Sequence, residues 1–97
     1  MDESIHITVQ YHNILRARAG ISAETLDMPE GSTLRDLLHH VAETHGPVLR
    51  EVLFTADGAV SSHLVVFRNR HLLPATDRDA MLADGDELLL FPAIAGG

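Results

Sequence analysis

Leu34, Leu37, Leu38, Val41 and Ala42 fall at i, i+3, i+4, i+7 and i+8, a single apolar stripe along one helix. Ser32 or Thr33 caps its start. Asp36, three residues after Thr33, comes close to a capping box. Gly46 and Pro47 supply the stop. One amphipathic helix covers one face of a sheet, so the remaining apolar segments have to build that sheet.

They read as strands. Ile5, Ile7, Val9 and Tyr11 alternate with His6, Thr8, Gln10 and His12, the period of a half-buried strand. Residues 13–20 read as a connection, with Gly20 available for a turn. Residues 21–28 give a weaker second strand, paired with the first as a hairpin and ended by Pro29-Glu30-Gly31. Residues 47–54 suit a short second helical turn, and Thr55-Ala56-Asp57-Gly58 a loop. Residues 63–68 form a near-continuous apolar run, expected near the sheet centre. Asn69-Arg70 then turns into a brief strand at 71–73, closed by Pro74. Residues 75–83 hold a short helical turn, Asp84-Gly85-Asp86 is a strong turn signal, and 87–92 is the last strand.

Strands segregated from a single main helix indicate an α+β fold. The first and last long strands are expected to be central and parallel, with the helix as their crossover. This is the β-grasp arrangement of ubiquitin-like proteins: a mixed four- to five-stranded sheet with one main helix on one face. Ninety-seven residues make one domain, residues 1–92, followed by a flexible tail at 93–97.

Composition removes several function classes. The net charge of −7 argues against nucleic acid and favours a partner with a basic surface. With no cysteine, the chain carries neither disulfides nor thiol chemistry. No apolar run approaches the ~18 residues of a membrane span, and Met1-Asp2-Glu3-Ser4 is no cationic secretory leader. A cytoplasmic protein without membrane contact is expected. All seven basic side chains are arginine.

Catalytic and metal readings are weak. His39, His40 and His45 come nearest to a metal set, but neighbouring His39 and His40 point in different directions and read as solvated helix histidines. Asp77, Asp79, Asp84 and Asp86 lack the calcium-loop spacing and its closing Glu, so turn formation explains them better. Ser61-Ser62-His63 are adjacent on an extended segment, which does not bring side chains together for catalysis.

The C-terminal stretch is more telling. Leu88-Leu89-Leu90-Phe91-Pro92 leads into Ala93-Ile94-Ala95-Gly96-Gly97. Glycine has no Cβ, so a diglycine end is slim enough to thread a narrow channel and deliver its carboxylate to another protein. Strand parity turns Leu88 and Leu90 inward and leaves Leu89 and Phe91 outside, with Phe91 as a docking anchor and Leu72 extending the patch.

On these residues the chain resembles the ubiquitin-like sulfur carriers. The matching pieces are Ala17-Arg18-Ala19-Gly20 and Leu26-x-Met28-Pro29-Glu30-Gly31-x-Thr33-Leu34, then Leu82-x-Asp84-Gly85-Asp86-Glu87-Leu88 and the stretch from Phe91 to Gly97. Within that group, Pro92-Ala93 stands where the molybdopterin branch has Pro-Pro. Phe67-Arg68-Asn69-Arg70 replaces its usual Val-Asn-Gly, and His12 takes the place of an aromatic contact. The 51–62 connection is closer to the cysteine-pathway carriers, which are slightly preferred on these grounds.

The resemblance implies a sulfur donor rather than an enzyme: a co-substrate or the small subunit of a synthase. A partner resembling ubiquitin-activating enzymes, an adenylyltransferase and sulfurtransferase using ATP and Mg, would convert the Gly97 carboxylate into an acyl adenylate and then a thiocarboxylate. A biosynthetic enzyme would accept the sulfur. The chain itself would bind no cofactor or metal. Gly97 is the implied reaction site, and Gly96, Ala95, Ile94, Ala93, Pro92, Phe91, Leu89 and Leu72 the implied partner contacts. Two other readings stand beside this one: a modifier joined through Gly97 to target lysines, and a non-covalent β-grasp module.

Overall fold

The structure, a computed structural model, describes residues 3–93. Five strands, β1 (Ser4–Tyr11), β2 (Ala23–Pro29), β3 (Leu64–Arg68), β4 (His71–Leu73) and β5 (Glu87–Pro92), form one sheet in the order β2-β1-β5-β3-β4. β1 and β5 pair in parallel, and the other neighbours are antiparallel. Three helices join them: α1 (Ile14–Ala19), α2 (Leu34–His45) and α3 (Pro47–Leu53). This is the β-grasp topology, with its first and last strands side by side.

The alternation along β1 is realised: Ile5, Ile7, Val9 and Tyr11 are buried. The five stripe residues of α2 are fully buried in the same core. Thr33 is the cap. Its hydroxyl accepts from the Asp36 amide at 3.2 Å, and its own amide donates to the Asp36 carboxylate at 2.9 Å, completing the capping box. Gly46, at φ 80°, closes the helix, and Pro47 opens α3, where its missing N–H costs no hydrogen bond. Fully burying each of Leu49 and Leu53 contributes about 1.5–3 kcal/mol.

Four expectations need correction. Residues 13–20 are not a plain connection but carry α1, with Leu15 fully buried and Gly20 at φ 78° closing the last turn through its amide to Arg16 O at 3.0 Å. Six residues with one buried side chain leave no repeating stripe to read. The helix is held instead by distant contacts, among them Arg18 donating to Val48 O at 3.0 Å and to Glu51 at 3.1 Å. The second strand begins at Ala23, so Ile21 lies outside it and is exposed. Within 75–83 only Ala75–Asp77 forms a 3₁₀ turn. Residues 47–53, expected as one turn, make a seven-residue helix.

Glu24 is a carboxylate on the core side of β2, opposite Val9. Tyr11 donates to its Oε2 at 2.5 Å, and His45 Nε2 lies 2.6 Å from the same oxygen. The Tyr11 and His45 rings meet edge to face at 5.8 Å. Burial alone pushes the carboxyl up. The hydrogen bonds from Tyr11 and His45, with the positive charge of His45 and His40, outweigh that and hold it below its ordinary value of 4.5. Burial first, then the bond and charge of Glu24, raise the Tyr11 phenol far above its usual range.

Two expected outcomes follow. A group with a depressed folded pKa stabilises above its unfolded pKa, and that stability is lost as pH falls through the folded value. Glu24→Gln should therefore flatten the decline of unfolding free energy below about pH 4.5, measured by urea titration across pH, while native protein loses stability there. Leu90→Ala, which empties a fully buried position, should cost ~2–5 kcal/mol, and Phe91→Ala well under half of that in the same assay.

Candidate functional site

Leu88 and Leu90 are fully buried, so Leu89 and Phe91 emerge on the sheet face away from the helices. Register carries the parity across the neighbouring strands. Val65 lies opposite Phe91, and Phe67 lies opposite both Leu89 and Leu72, which gathers all five side chains on that outer face. Phe67 and Phe91 stack with centroids 6.0 Å apart and planes 15° from parallel. Phe91 is consequently half-buried against Phe67 rather than fully exposed, whereas Leu72 is 61% exposed.

Beside the stacked rings lies an open groove of about 480 Å³. Phe67, Leu89 and Phe91 give it an apolar floor, and His12, Asn13, Arg70 and Glu87 form its polar rim. Leu72 sits next to the groove, beyond Phe67, and does not line it. Sequence reasoning found Leu89, Phe91 and Leu72 but missed Phe67 and Arg70. In the run Leu64-Val65-Val66-Phe67 every residue is apolar, so alternation cannot tell the faces apart. The two-residue hairpin at Asn69-Arg70 is the signal that sets the register.

The rim is held by Asp86, which is buried in the turn before β5. Arg68 donates to its Oδ2 at 2.9 Å from Nε and 2.7 Å from Nη2, the Ala83 amide donates at 2.8 Å, and Asn69 Nδ2 donates to Oδ1 at 2.9 Å. Burial pushes this carboxyl up. The Ala83 amide, the Asn69 side chain and the Arg68 bond and charge outweigh burial and hold it below the usual aspartate value.

At the far end of β5, Pro92 lies opposite Leu64, and the Ala93 amide donates to His63 O at 2.6 Å. Buried Arg78 donates to Leu64 O at 2.6 Å, bracing the strand beside this exit point. Ile94, Ala95, Gly96 and Gly97 lie outside the described residues.

Most of the candidate histidines and aspartates have separate local partners. His39 stacks on Phe54 at 4.5 Å, while His45 turns to Glu24. Asp79 pairs with Arg35 at 2.8 Å, and Asp84 accepts from the His6 amide at 2.8 Å. Among the described residues no cluster of three His, Cys, Asp or Glu side chains is placed to hold a metal, and no helix is long and apolar enough to cross a membrane.

Known proteins share this architecture. The molybdopterin synthase sulfur carrier subunit of Chlamydomonas reinhardtii is 30% identical over 93 residues, 96% of this chain and 100% of that one. Small archaeal modifier protein 1 of Haloferax volcanii is 34% identical over 79 residues, 81% of this chain and 86% of that one. Its crystal structure superposes with a TM-score of 0.82 at 29% identity, covering 95% of this chain and 99% of that one. CysO of Mycobacterium tuberculosis has a TM-score of 0.70 at 19% identity, over 91% of this chain and 99% of that one, a likeness of fold alone. The profile of the ThiS family matches residues 9–97, from the middle of β1 to Gly97, and the chain belongs to that family of ubiquitin-like sulfur carriers.

Proposed function

We propose that this protein is a sulfur carrier whose Gly97 carboxylate is activated and converted to a thiocarboxylate. The observation that carries the reading is the family match running through Gly96-Gly97, which three residues separate from a strand whose end is fixed at Pro92. A carboxylate is a poor electrophile. Its oxygen attacks the α-phosphorus of ATP in a partner resembling ubiquitin-activating enzymes, releasing pyrophosphate and leaving an acyl adenylate. A sulfur nucleophile then displaces AMP. The thiocarboxylate is anionic and nucleophilic, suited to attack an activated substrate in a second, sulfur-accepting enzyme. The carrier contributes delivery and recognition, and the ATP and Mg belong to its partner.

The reach of the tail supports a docking site at the groove. Residues 93–97 extend at most about 14 Å beyond Ala93. An enzyme holding Gly97 in its active site is therefore in contact with the end of β5, where Phe91 and Leu89 face outward. These side chains, with Leu72, serve as the docking surface, and the stretch from Pro92 to Gly96 fills the channel.

Likeness to the molybdopterin carrier at 30% identity weights that pathway. The 19% likeness to CysO weights only the fold, so a cysteine-type pathway rests on Pro92-Ala93 and the 51–62 connection. Likeness to small archaeal modifier protein 1 favours a second reading, conjugation through Gly97 to lysines of target proteins. A chain without lysine would then attach singly, since it offers no ε-amine for a further copy.

Mass spectrometry of the protein isolated from its cells separates these readings: sulfur-for-oxygen exchange at the C-terminus marks a carrier, and an adduct on other proteins a modifier. Deleting Gly97, or adding one residue after it, should leave the unfolding midpoint unchanged and abolish thiocarboxylate formation. Normal sulfuration of the truncated chain would overturn the assignment of Gly97.

A further inference from the structure

Arg70 occupies a backbone position that favours glycine. Its φ is 72°, and it follows Asn69 at 51°. These two residues are the entire loop between β3 and β4, because Arg68 and His71 are already cross-strand partners. Asparagine followed by glycine suits such a turn; a residue with a Cβ in the second place is strained. No local contact explains the choice. Arg18, Arg35, Arg68 and Arg78 each donate to a defined oxygen, whereas Arg16, Arg50 and Arg70 have no such side-chain partner among the described residues.

Strain of this kind persists where the surroundings over-determine the backbone, and it concentrates at functional sites. The first condition holds here. The Asn69 amide donates to Glu87 O at 2.8 Å, the Glu87 amide donates to Asn69 Oδ1 at 2.9 Å, and Asn69 Nδ2 is tied to Asp86. The turn cannot relax without breaking these bonds. Clamped in this way, it places an exposed guanidinium on the rim of the groove floored by Phe67, Leu89 and Phe91.

We propose that Arg70 is the specificity-determining residue of this docking face, receiving a carboxylate that the activating enzyme presents beside an apolar side chain seated in the groove. The inference rests on the carrier reading above. The planar guanidinium fork matches a carboxylate. A protein side chain fits the site better than a phosphate, since the floor is apolar and Glu87, on the same rim, repels a doubly charged group more than a single carboxylate. The chain's net charge of −7 draws in a basic partner surface from any direction. One acid on that surface, matched to one cation on the groove, selects a single orientation. Charge complementarity at an interface fixes register in this manner.

The test uses the full-length chain as substrate for its source organism's purified E1-like adenylating enzyme, followed by ATP–pyrophosphate exchange. Arg70→Gly relieves the strain and removes the charge. Its unfolding midpoint should equal or exceed that of the native chain, while KM for the carrier rises roughly tenfold with kcat little changed. Arg70→Lys should stay within about threefold of native, Arg70→Glu should be worse than Arg70→Gly, and added salt should raise the native KM more steeply than that of Arg70→Gly. A native KM for Arg70→Gly, or equal losses for the Gly and Glu variants, overturns the proposal. Absence of exchange with the native chain counts against the carrier reading instead. Calorimetric titration of the same variants into the enzyme then decides the role of Arg70 by binding alone, with the same ranking expected and an unchanged affinity for Arg70→Gly overturning it.

Discussion

Burial of Leu88 and Leu90 in the core leaves Glu87, Leu89 and Phe91 no choice of direction, because side chains on a strand alternate between the two faces. A slip of one residue in β5 would drive Phe91 into the core and turn Leu90 to solvent. The register is therefore held from both sides. β1 pairs in parallel with β5, and β3 pairs antiparallel from Arg68↔Leu88 to Leu64↔Pro92. The outer groove, the rim turn and the point where the chain leaves the sheet all inherit their places from this one strand.

Two acids show how the fold handles charge. Glu24 faces the core side of an edge strand, and Asp86 lies in the turn ahead of the central strand. Burial opposes ionisation at both. In each case hydrogen bonds and a neighbouring positive charge outweigh that cost and keep the carboxylate charged. They differ in what they hold. Glu24 joins β2 to the end of α2 through His45 and to β1 through Tyr11, on the face of the sheet opposite the groove. Asp86 ties Arg68 and Asn69 together, and so fixes the hairpin that shapes the groove's rim.

Most of the architecture was legible in the sequence because β1 and α2 each repeat a clean period over eight or more residues, and β5 is bounded by the Asp84-Gly85-Asp86 turn and Pro92. The α1 helix was not, since its stability comes from Leu15 burial and from Arg18 reaching α3 rather than from a stripe. The candidate site was legible only on β5 and β4. Phe67 belongs to a strand in which inward and outward residues are equally apolar, and only pairing with Leu89 and Leu72 reveals its side. Arg70 has no signature in composition or spacing. Its meaning lies in a φ angle that one-dimensional patterns do not carry.

The two faces of the sheet answer to different demands. The inner face closes one continuous core, and a buried Leu there is fixed by volume, with truncation costing several kcal/mol. The outer face keeps stacked aromatics only half-covered and, at the rim, Arg70 with no side-chain partner among the described residues, a combination that adds little to the stability of the isolated chain. Apolar surface left in this state gains its full burial energy when a second protein covers it. A carrier has to be released after delivery as well as bound before it. A small groove with one charged contact suits that cycle better than a broad apolar face, because a rim charge acts more on encounter and orientation than on residence. On the proposed function, the short reach from Ala93 to Gly97 links the two requirements, since an enzyme that receives the carboxylate also touches the end of β5.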